Sequence, residues 1–233
     1  MSTTYKRQRF PIEIISYCVW LYHTFPLSFR DIQKMRMYRG IEVTYEAIRQ
    51  WCHKFAQAYA NQLRRCRPKP ADKWYLDEVR IKIQGKQYYL WRAVDKDGQV
   101  LDILMQSRRN AAAANKFFRK LLKSQGFATR VIITDKLKSY GAAKKMILKG
   151  VEHRQHKGLN NRAENSHRPT WVRERRMGRL KSPGQAQRFL SNMEPIRGHF
   201  HPHQHKLTAN EYRQTMSQKF EGWQEIIPQD LAA

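Results

Sequence analysis

Hydrophobic residues recur at helical spacing through the first part of the chain. Between residues 12 and 22 they follow one another at steps of three and four, which predicts an amphipathic helix. Ser28 then opens a capping-box-like segment that Gly40 ends, and Thr44 is placed to cap the helix that follows. Two short helices joined by a tight, glycine-containing turn predict a helix-turn-helix, although an ordinary helical hairpin has the same pattern.

The apolar period changes to two at residue 74. Alternation over residues 74–83 predicts a strand with Asp77 on its apolar face. Residues 87–94 and 99–106 predict two further strands, joined by a hairpin turn at an Asp-Gly pair. These three segments therefore predict an antiparallel meander.

The next segment carries a helix and then a short buried strand. Asn110 is placed to cap the helix, and Gly126 to end it. Residues 131–133 are wholly apolar, which predicts a central strand covered on both faces, and Asp135 follows at its C-terminal end. We expect this strand to lie beside the first one, which would let Asp77 and Asp135 approach each other.

Shorter elements complete the pattern. A helix is predicted near residues 139–148 and a strand over 151–155, followed by a long basic helix from about Arg162 that Pro169 should kink or interrupt. Together the elements predict an α/β, ribonuclease-H-like core, a mixed sheet flanked by helices, preceded by a small helix-turn-helix domain. The predicted segments are a helix-turn-helix domain over 1–65, a basic linker over 66–73, the ribonuclease-H-like domain over 74–200 and a C-terminal helical tail over 201–233.

Charge narrows the choice of partner. The chain has 45 Lys and Arg against 19 Asp and Glu, a formal net charge of +26 at pH 7, which favours a polyanion such as DNA. A basic RNA-binding protein without chemistry is the alternative that this balance leaves open. The three cysteines form no CxxC pair, and the first apolar run is too short to span a bilayer. We therefore expect a cytoplasmic, nucleoid-associated protein with no membrane partner.

Three carboxylates stand out against this basic background. Asp77 and Asp135 belong to apolar strands, and Glu164 lies among basic residues. Each has an ordinary explanation: a strand charge that discourages edge pairing, a turn cap, or an acid favoured in the first turn of a helix. Brought together, the three would repel one another unless a cation were bound. They are therefore the candidate catalytic residues and metal ligands.

Two basic groups are candidate DNA contacts. One is the polar face of the predicted recognition helix, where Arg and Gln would meet base edges in a major groove. The other is the segment after Glu164, where crowding of like charge favours a phosphate contact over a merely solvated face. Trp171 lies in this second group and is a candidate for base stacking, although a core position is the more ordinary expectation. The candidates are Arg49, Gln50, His53, Lys54, Arg168, Arg173, Arg175 and Arg176.

The motifs YLDE, ITDKLKSYG and VEHRQHKGLNNRAENSH, following a helix-turn-helix, resemble the DDE transposases of bacterial insertion sequences, in particular the insertion-sequence-six ("IS-six") family. The resemblance covers about residues 5 to 200. It implies a ribonuclease-H-like core and metal-dependent strand cleavage and strand transfer. It also implies two Mg²⁺ ions on Asp77, Asp135 and Glu164, with Mn²⁺ able to substitute. The implied partners are terminal inverted repeats, target DNA and further copies of the chain.

The chain departs from this family pattern at two places. Only 28 residues lie between Asp135 and Glu164, fewer than in many relatives. Trp171 occupies the position where relatives tend to carry Lys or Arg, so Arg168 and Arg173 are the candidate replacements. A catalytically decayed copy that only binds DNA is therefore a second alternative.

Overall fold

The computed structural model describes residues 8–202 and 207–227, and the predicted segments lie outside these ranges at residues 1–7, 203–206 and 228–233. The chain divides into two compact units, each described by itself. One contains the described residues up to Arg67 together with those from Asn192 onward, and the other is Pro68–Ser191. The four-segment division predicted from the sequence stays a prediction.

The secondary structure largely follows the predicted order. The strands are β1 (Lys73–Ile83), β2 (Lys86–Asp95), β3 (Val100–Gln106), β4 (Val131–Thr134) and β5 (Glu152–Gln155). The helices are α1 (Ile12–Thr24), α2 (Phe29–Met37), α3 (Tyr45–Cys66), α4 (Ala111–Gln125), α5 (Lys138–Ile147), α6 (Asn161–Ser166), α7 (Arg168–Arg176), α8 (Pro183–His199) and α9 (Ala209–Ile226). Within the described ranges, no helix combines the length and the apolar character that a membrane crossing requires.

The predicted caps are confirmed. Ser28 and Asp31 exchange backbone and side-chain hydrogen bonds in a capping box at the start of α2. Thr44 Oγ1 accepts from the backbone N–H of Ala47 at 3.2 Å and caps α3. At α4, Asn110 caps the N-terminus and Gly126 ends the helix in the left-handed conformation. These local signals set the helix boundaries because each satisfies polar groups that the helix itself leaves unpaired.

The first unit is helical and packs around α3. Its described core includes the fully buried Ile15 of α1, Ile32 of α2 and Ile48 of α3. Near the end of α3, Tyr59 makes an edge-on ring contact with Trp223 of α9, with 5.1 Å between the centroids. The predicted helical front end is therefore present, and α9 belongs to the same unit.

The second unit is built on a five-stranded mixed sheet with the order β3-β2-β1-β4-β5. The pairs β1–β2 and β2–β3 are antiparallel, whereas β1–β4 and β4–β5 are parallel. This order and these directions, with helices flanking the sheet, are those of the predicted ribonuclease-H-like fold. The expectation that β1 and the apolar strand are neighbours is confirmed by the pairing of Tyr75 with Ile133.

The burial of the two faces of β1 differs from the prediction. Trp74, Leu76 and Glu78 are buried, and the first two pack with residues of α4 and α5, whereas Asp77 is half-buried on the opposite face. Asp77 shares its face with Ile81 and Ile83, as predicted, and these two are buried. The buried positions therefore change face along the strand, and simple alternation did not show that the core beside Asp77 lies on the other face.

The basic helix expected from about Arg162 is interrupted near Pro169. The chain forms two short helices, α6 and α7, that meet at His167. Pro169 lies in the first turn of α7. Proline lacks a backbone N–H and clashes with the carbonyl four residues earlier, so it begins a new helix here and does not continue the previous one. The predicted interruption at Pro169 is thus confirmed.

Candidate active site

Two of the three candidate carboxylates lie at neighbouring positions in the middle of the sheet, one within β1 and one just after β4. Tyr75 of β1 pairs with Ile133 of β4, and Asp77 and Asp135 each follow two residues later along these parallel strands. Equivalent positions on paired neighbouring strands lie beside each other. The fold therefore brings Asp77 and Asp135 together although the sequence separates them widely.

The surroundings of Asp77 favour its protonated form. Burial, and then the nearby charge of Asp135, raise the pKa of the Asp77 carboxyl to about 6, against a partly opposing effect of Arg109 and Arg92. The buried His167 places its Nε2 3.4 Å from Oδ2 of Asp77. A carboxylate pair of this kind is relieved by a bound cation, and hard oxygen donors are what Mg²⁺ prefers. The donor chemistry of the pair therefore fits a divalent metal ion.

Asp135 also has the local role that was considered as an alternative. Its Oδ1 accepts from the backbone N–H of Leu137 at 3.0 Å, which fixes the turn between β4 and α5. Its Oδ2 lies 3.6 Å from a terminal guanidinium nitrogen of Arg109. One oxygen thus holds the turn while the other lies near Arg109, so the turn engages only one of the two carboxylate oxygens.

Glu164 is placed differently. It is exposed on α6, which packs against β1 and β2. Among the described residues, no group of three or more His, Cys, Asp or Glu side chains is close enough together to hold a metal ion. The structure therefore brings Asp77 and Asp135 together but does not gather Glu164 with them.

Two buried polar side chains attach α6 to the sheet at its two ends. Asn160, just before the helix, donates to the backbone carbonyl of Leu76 at 2.9 Å. Arg92, the cross-strand partner of Asp77 on β2, is fully buried and donates to the carbonyl of Ser166 and, at 2.6 Å, to Oγ1 of Thr170. The position of the helix that carries Glu164 is therefore fixed by hydrogen bonds to the strands beside Asp77.

Two further charged residues near the carboxylate pair, Glu78 and Arg109, were not among the site residues predicted from the sequence. Glu78 Oε1 accepts from two nitrogens of Arg109, each at 2.5 Å, and burial raises the pKa of the Glu78 carboxyl to about 7. The fully buried Tyr140 of α5 lies beside this carboxyl and partly opposes the rise in its pKa. The adjacent acids in YLDE were a visible signal, but period two assigned Glu78 to the polar face. Arg109 carried no signal, because only the fold brings it to β1.

The candidate DNA contacts on α3 lie on an exposed face. Arg49 forms a two-point ion pair with Glu46, with N–O distances of 2.7 and 2.8 Å, and Gln50 donates to the same carboxylate at 3.2 Å. His53 is exposed, and the exposed Lys54 extends over the ring of Phe55 at 5.1 Å. All four candidates are thus accessible, although two of them already bind Glu46.

The candidates beyond Glu164 divide into two groups. Arg168, Arg175 and Arg176 are exposed, whereas Arg173 is buried, with its guanidinium 5.4 Å from the ring centre of Phe189. The expectation that Arg173 is a surface phosphate contact therefore does not hold, because α7 turns this side chain toward α8. Trp171 is 45% exposed, contrary to the expectation of a core position, and its ring stacks on His167.

Comparison with known proteins places these features in a family. A family model described as a DDE domain matches residues 71–203. A transposase for the insertion sequence-like element IS431mec of Staphylococcus aureus is 32% identical over 197 residues, covering 82% of this chain and 86% of the relative. The transposase for element IS257 in transposon Tn4003 of Staphylococcus aureus matches with the same identity and coverage. The chain therefore belongs to the DDE transposases of insertion sequences, within the IS6 family.

Two solved structures align with part of the chain. The catalytic core domain of the HTLV-2 integrase in complex with magnesium aligns with a TM-score of 0.42 at 17% identity, over 52% of this chain and 83% of that one. The catalytic core domain of BIV integrase aligns with a TM-score of 0.42 at 12% identity, over 66% of this chain and 99% of that one. The family assignment rests on the sequence relatives.

The raised pKa of Asp77 predicts a pH-dependent stability. The folded protein retains a proton on Asp77 up to about pH 6, whereas an ordinary Asp loses it near 3.8. Between these pH values the folded state binds more protons than the unfolded state, so the contribution of Asp77 to stability falls as the pH rises. Without divalent ions, we expect Asp77→Asn to raise the free energy of unfolding at pH 8 by roughly 1–3 kcal/mol and to change it little at pH 4.

Urea unfolding at the two pH values measures this difference. Asp97→Asn, in the exposed turn between β2 and β3, is the control and should change stability little at either pH. An equal effect of Asp77→Asn at pH 4 and pH 8 would contradict the assigned electrostatic cause.

Proposed function

We propose that this transposase cleaves DNA at the ends of its own insertion sequence and joins the freed ends to target DNA. Water attacks a phosphodiester at the end of the element and releases a 3′-hydroxyl, which then attacks a target phosphodiester and displaces a new 3′-hydroxyl. The observation that carries the proposal is the Asp77–Asp135 pair at neighbouring positions of the parallel strands β1 and β4, in a chain of net charge +26. The family membership supports the same chemistry.

Asp77, Asp135 and Glu164 are the proposed catalytic residues and metal ligands. DDE transposases use divalent metal ions. Asp77 and Asp135 supply oxygen donors from β1 and from the end of β4. Glu164 is the third proposed donor, and it is carried by the helix that Asn160 and Arg92 attach to the sheet. Two Mg²⁺ ions, or Mn²⁺ in their place, would supply positive charge to activate the attacking oxygen and stabilise the leaving oxygen.

Other residues near the pair would handle the substrate. Arg168 is exposed four residues after Glu164 and is the proposed phosphate contact in place of the cation missing at Trp171, since Arg173 is buried. Arg175 and Arg176 extend the same basic surface. His167 is held against Asp77 and orients that carboxylate. The exposure of the three arginines and the distance from His167 to Asp77 support these roles.

The exposed face of α3 is the proposed reader of the terminal inverted repeats. Arg49 and Gln50 would exchange their contacts with Glu46 for base edges, and His53 and Lys54 would contact the backbone or neighbouring bases. Several copies of the chain would assemble on DNA, because two ends and a target must meet. We place this assembly on the cytoplasmic nucleoid.

Replacing Arg49 tests the recognition surface. If Arg49 meets a guanine edge, Arg49→Ala should weaken binding to the cognate terminal repeat by roughly tenfold or more, and binding to random DNA by much less. Arg65→Ala, at an exposed arginine near the end of the same helix, is the matched control and should weaken both equally. Equal losses for Arg49→Ala on the two DNAs, measured by fluorescence anisotropy, would reduce Arg49 to a phosphate contact.

A decayed copy that only binds DNA is the second candidate function, and the exposed Trp171 favours it. The family match gives the RNA-binding alternative no support. The deciding experiment incubates the purified chain with a duplex that carries the element end, taken from the DNA flanking the gene, in Mg²⁺ or EDTA. Cleavage in Mg²⁺ but not in EDTA supports the transposase. Decay is supported if the chain binds the duplex without cleaving it and Trp171→Arg restores cleavage.

A further inference from the structure

Arg109 lies between two acids of different burial. Two of its guanidinium nitrogens are 2.5 Å from Oε1 of Glu78, and a terminal nitrogen is 3.6 Å from Oδ2 of Asp135. The side chain of Glu78 is 1% exposed, whereas that of Asp135 is 28% exposed. The guanidinium therefore belongs mainly to Glu78 and only secondarily to Asp135.

The difference in burial explains this preference. Attraction between opposite charges grows as the surroundings become less polar, and an uncompensated buried carboxylate is costly. Glu78 lies on the core-facing side of β1, beside the buried Tyr140, so Arg109 is drawn toward it. Asp135 retains solvent on one side and competes less well for the same cation.

We infer that Glu78 is a positioning residue that holds the Arg109 guanidinium away from Asp135 and so keeps the Asp77–Asp135 pair open to a divalent cation. The inference rests on the proposed function, because it concerns the proposed metal ligands. Without the charge of Glu78, Arg109 would close the gap of 3.6 Å and pair with Asp135. An arginine paired there would neutralise one of the proposed metal ligands and compete with a cation for its oxygens.

The inference predicts effects of opposite sign on metal affinity. In the DNA-free protein, Glu78→Gln should weaken Mn²⁺ binding by about fivefold or more, because Arg109 becomes an internal competitor. Arg109→Gln should strengthen Mn²⁺ binding, since it removes that cation. The double variant should bind Mn²⁺ like Arg109→Gln alone, because Glu78 acts through Arg109.

Titration with Mn²⁺ alone, followed by electron paramagnetic resonance and calorimetry, measures these affinities without any catalytic readout. Glu152→Gln is the matched control, since it removes an acid from the exposed Glu152–Arg154 pair on β5 and should leave Mn²⁺ affinity unchanged. Thermal unfolding of each variant confirms that it is folded. Arg109→Lys, which keeps the charge, should bind Mn²⁺ more weakly than Arg109→Gln. If the glutamine variant does not fold, Arg109→Met, which also removes the charge, takes its place.

The outcomes separate the inference from the function on which it rests. If Glu78→Gln weakens Mn²⁺ binding equally with and without Arg109, Glu78 acts by its own charge and the inference is overturned. An increase or no change in affinity for Glu78→Gln overturns it as well. If the unmodified chain binds no Mn²⁺, or Asp135→Asn binds it equally well, the proposed metal site itself fails.

Discussion

Replacing Asp77 or Asp135 by Asn is expected to abolish transposition. Each substitution removes one negative charge from the carboxylate pair on β1 and β4 while leaving a side chain of the same shape. Loss of a metal ligand removes several kcal/mol of transition-state stabilisation, so the frequency should fall by about a thousandfold or more. Glu164→Gln should have an effect of the same size. Transposition from a marked donor plasmid in cells provides the measurement.

Binding must be separated from chemistry in this experiment. The three variants should bind the terminal repeats nearly as well as the unmodified chain, because the proposed recognition surface is on α3. Asp97→Asn, in the exposed hairpin turn, is the control and should transpose normally. Near-normal transposition by any of the three variants would remove that residue from the set of metal ligands.

The second large effect is expected from Arg92→Met. Arg92 is fully buried and donates to the Ser166 carbonyl and the Thr170 hydroxyl, so the substitution leaves these acceptors without their charged donor. Methionine spares the cost of burying a guanidinium, but the lost charge-assisted bonds outweigh that gain. We expect a loss of roughly 2–4 kcal/mol in the free energy of unfolding, measured in urea.

The same substitution should reduce activity even where the protein stays folded. Arg92 attaches the α6–α7 junction to β2, and α6 carries Glu164. Cleavage at a temperature well below the unfolding midpoint should therefore fall, while Arg80→Met, at an exposed arginine of β1, should change neither stability nor cleavage. Full stability and activity in Arg92→Met would mean that Arg92 is not needed to hold α6 against the sheet.

Local signals predicted much of the fold. Residues 131–133 are apolar on every side chain, so a central strand was the natural prediction and its pairing with β1 is confirmed. The capping residues Ser28, Thr44 and Asn110 marked helix starts correctly, since a cap depends only on its own turn. Pro169 likewise interrupts the helix for a local reason.

The errors arose where the outcome depends on distant parts of the chain. Alternation assigned Glu78 to a polar face because the buried positions of β1 change face along the strand, which no local period records. Arg173 was counted with its basic neighbours, yet it packs on Phe189 of another helix. Arg109 reaches Glu78 only because the segment between β3 and α4 returns to β1.

The most direct test of the central claim is strand transfer with purified components. The chain is mixed with a labelled duplex that ends in the terminal repeat and with a circular target plasmid, in Mg²⁺ or in EDTA, alongside Asp135→Asn. The account predicts that the label is joined covalently to the plasmid only by the unmodified chain in Mg²⁺. Joining by Asp135→Asn, or joining in EDTA, would contradict it.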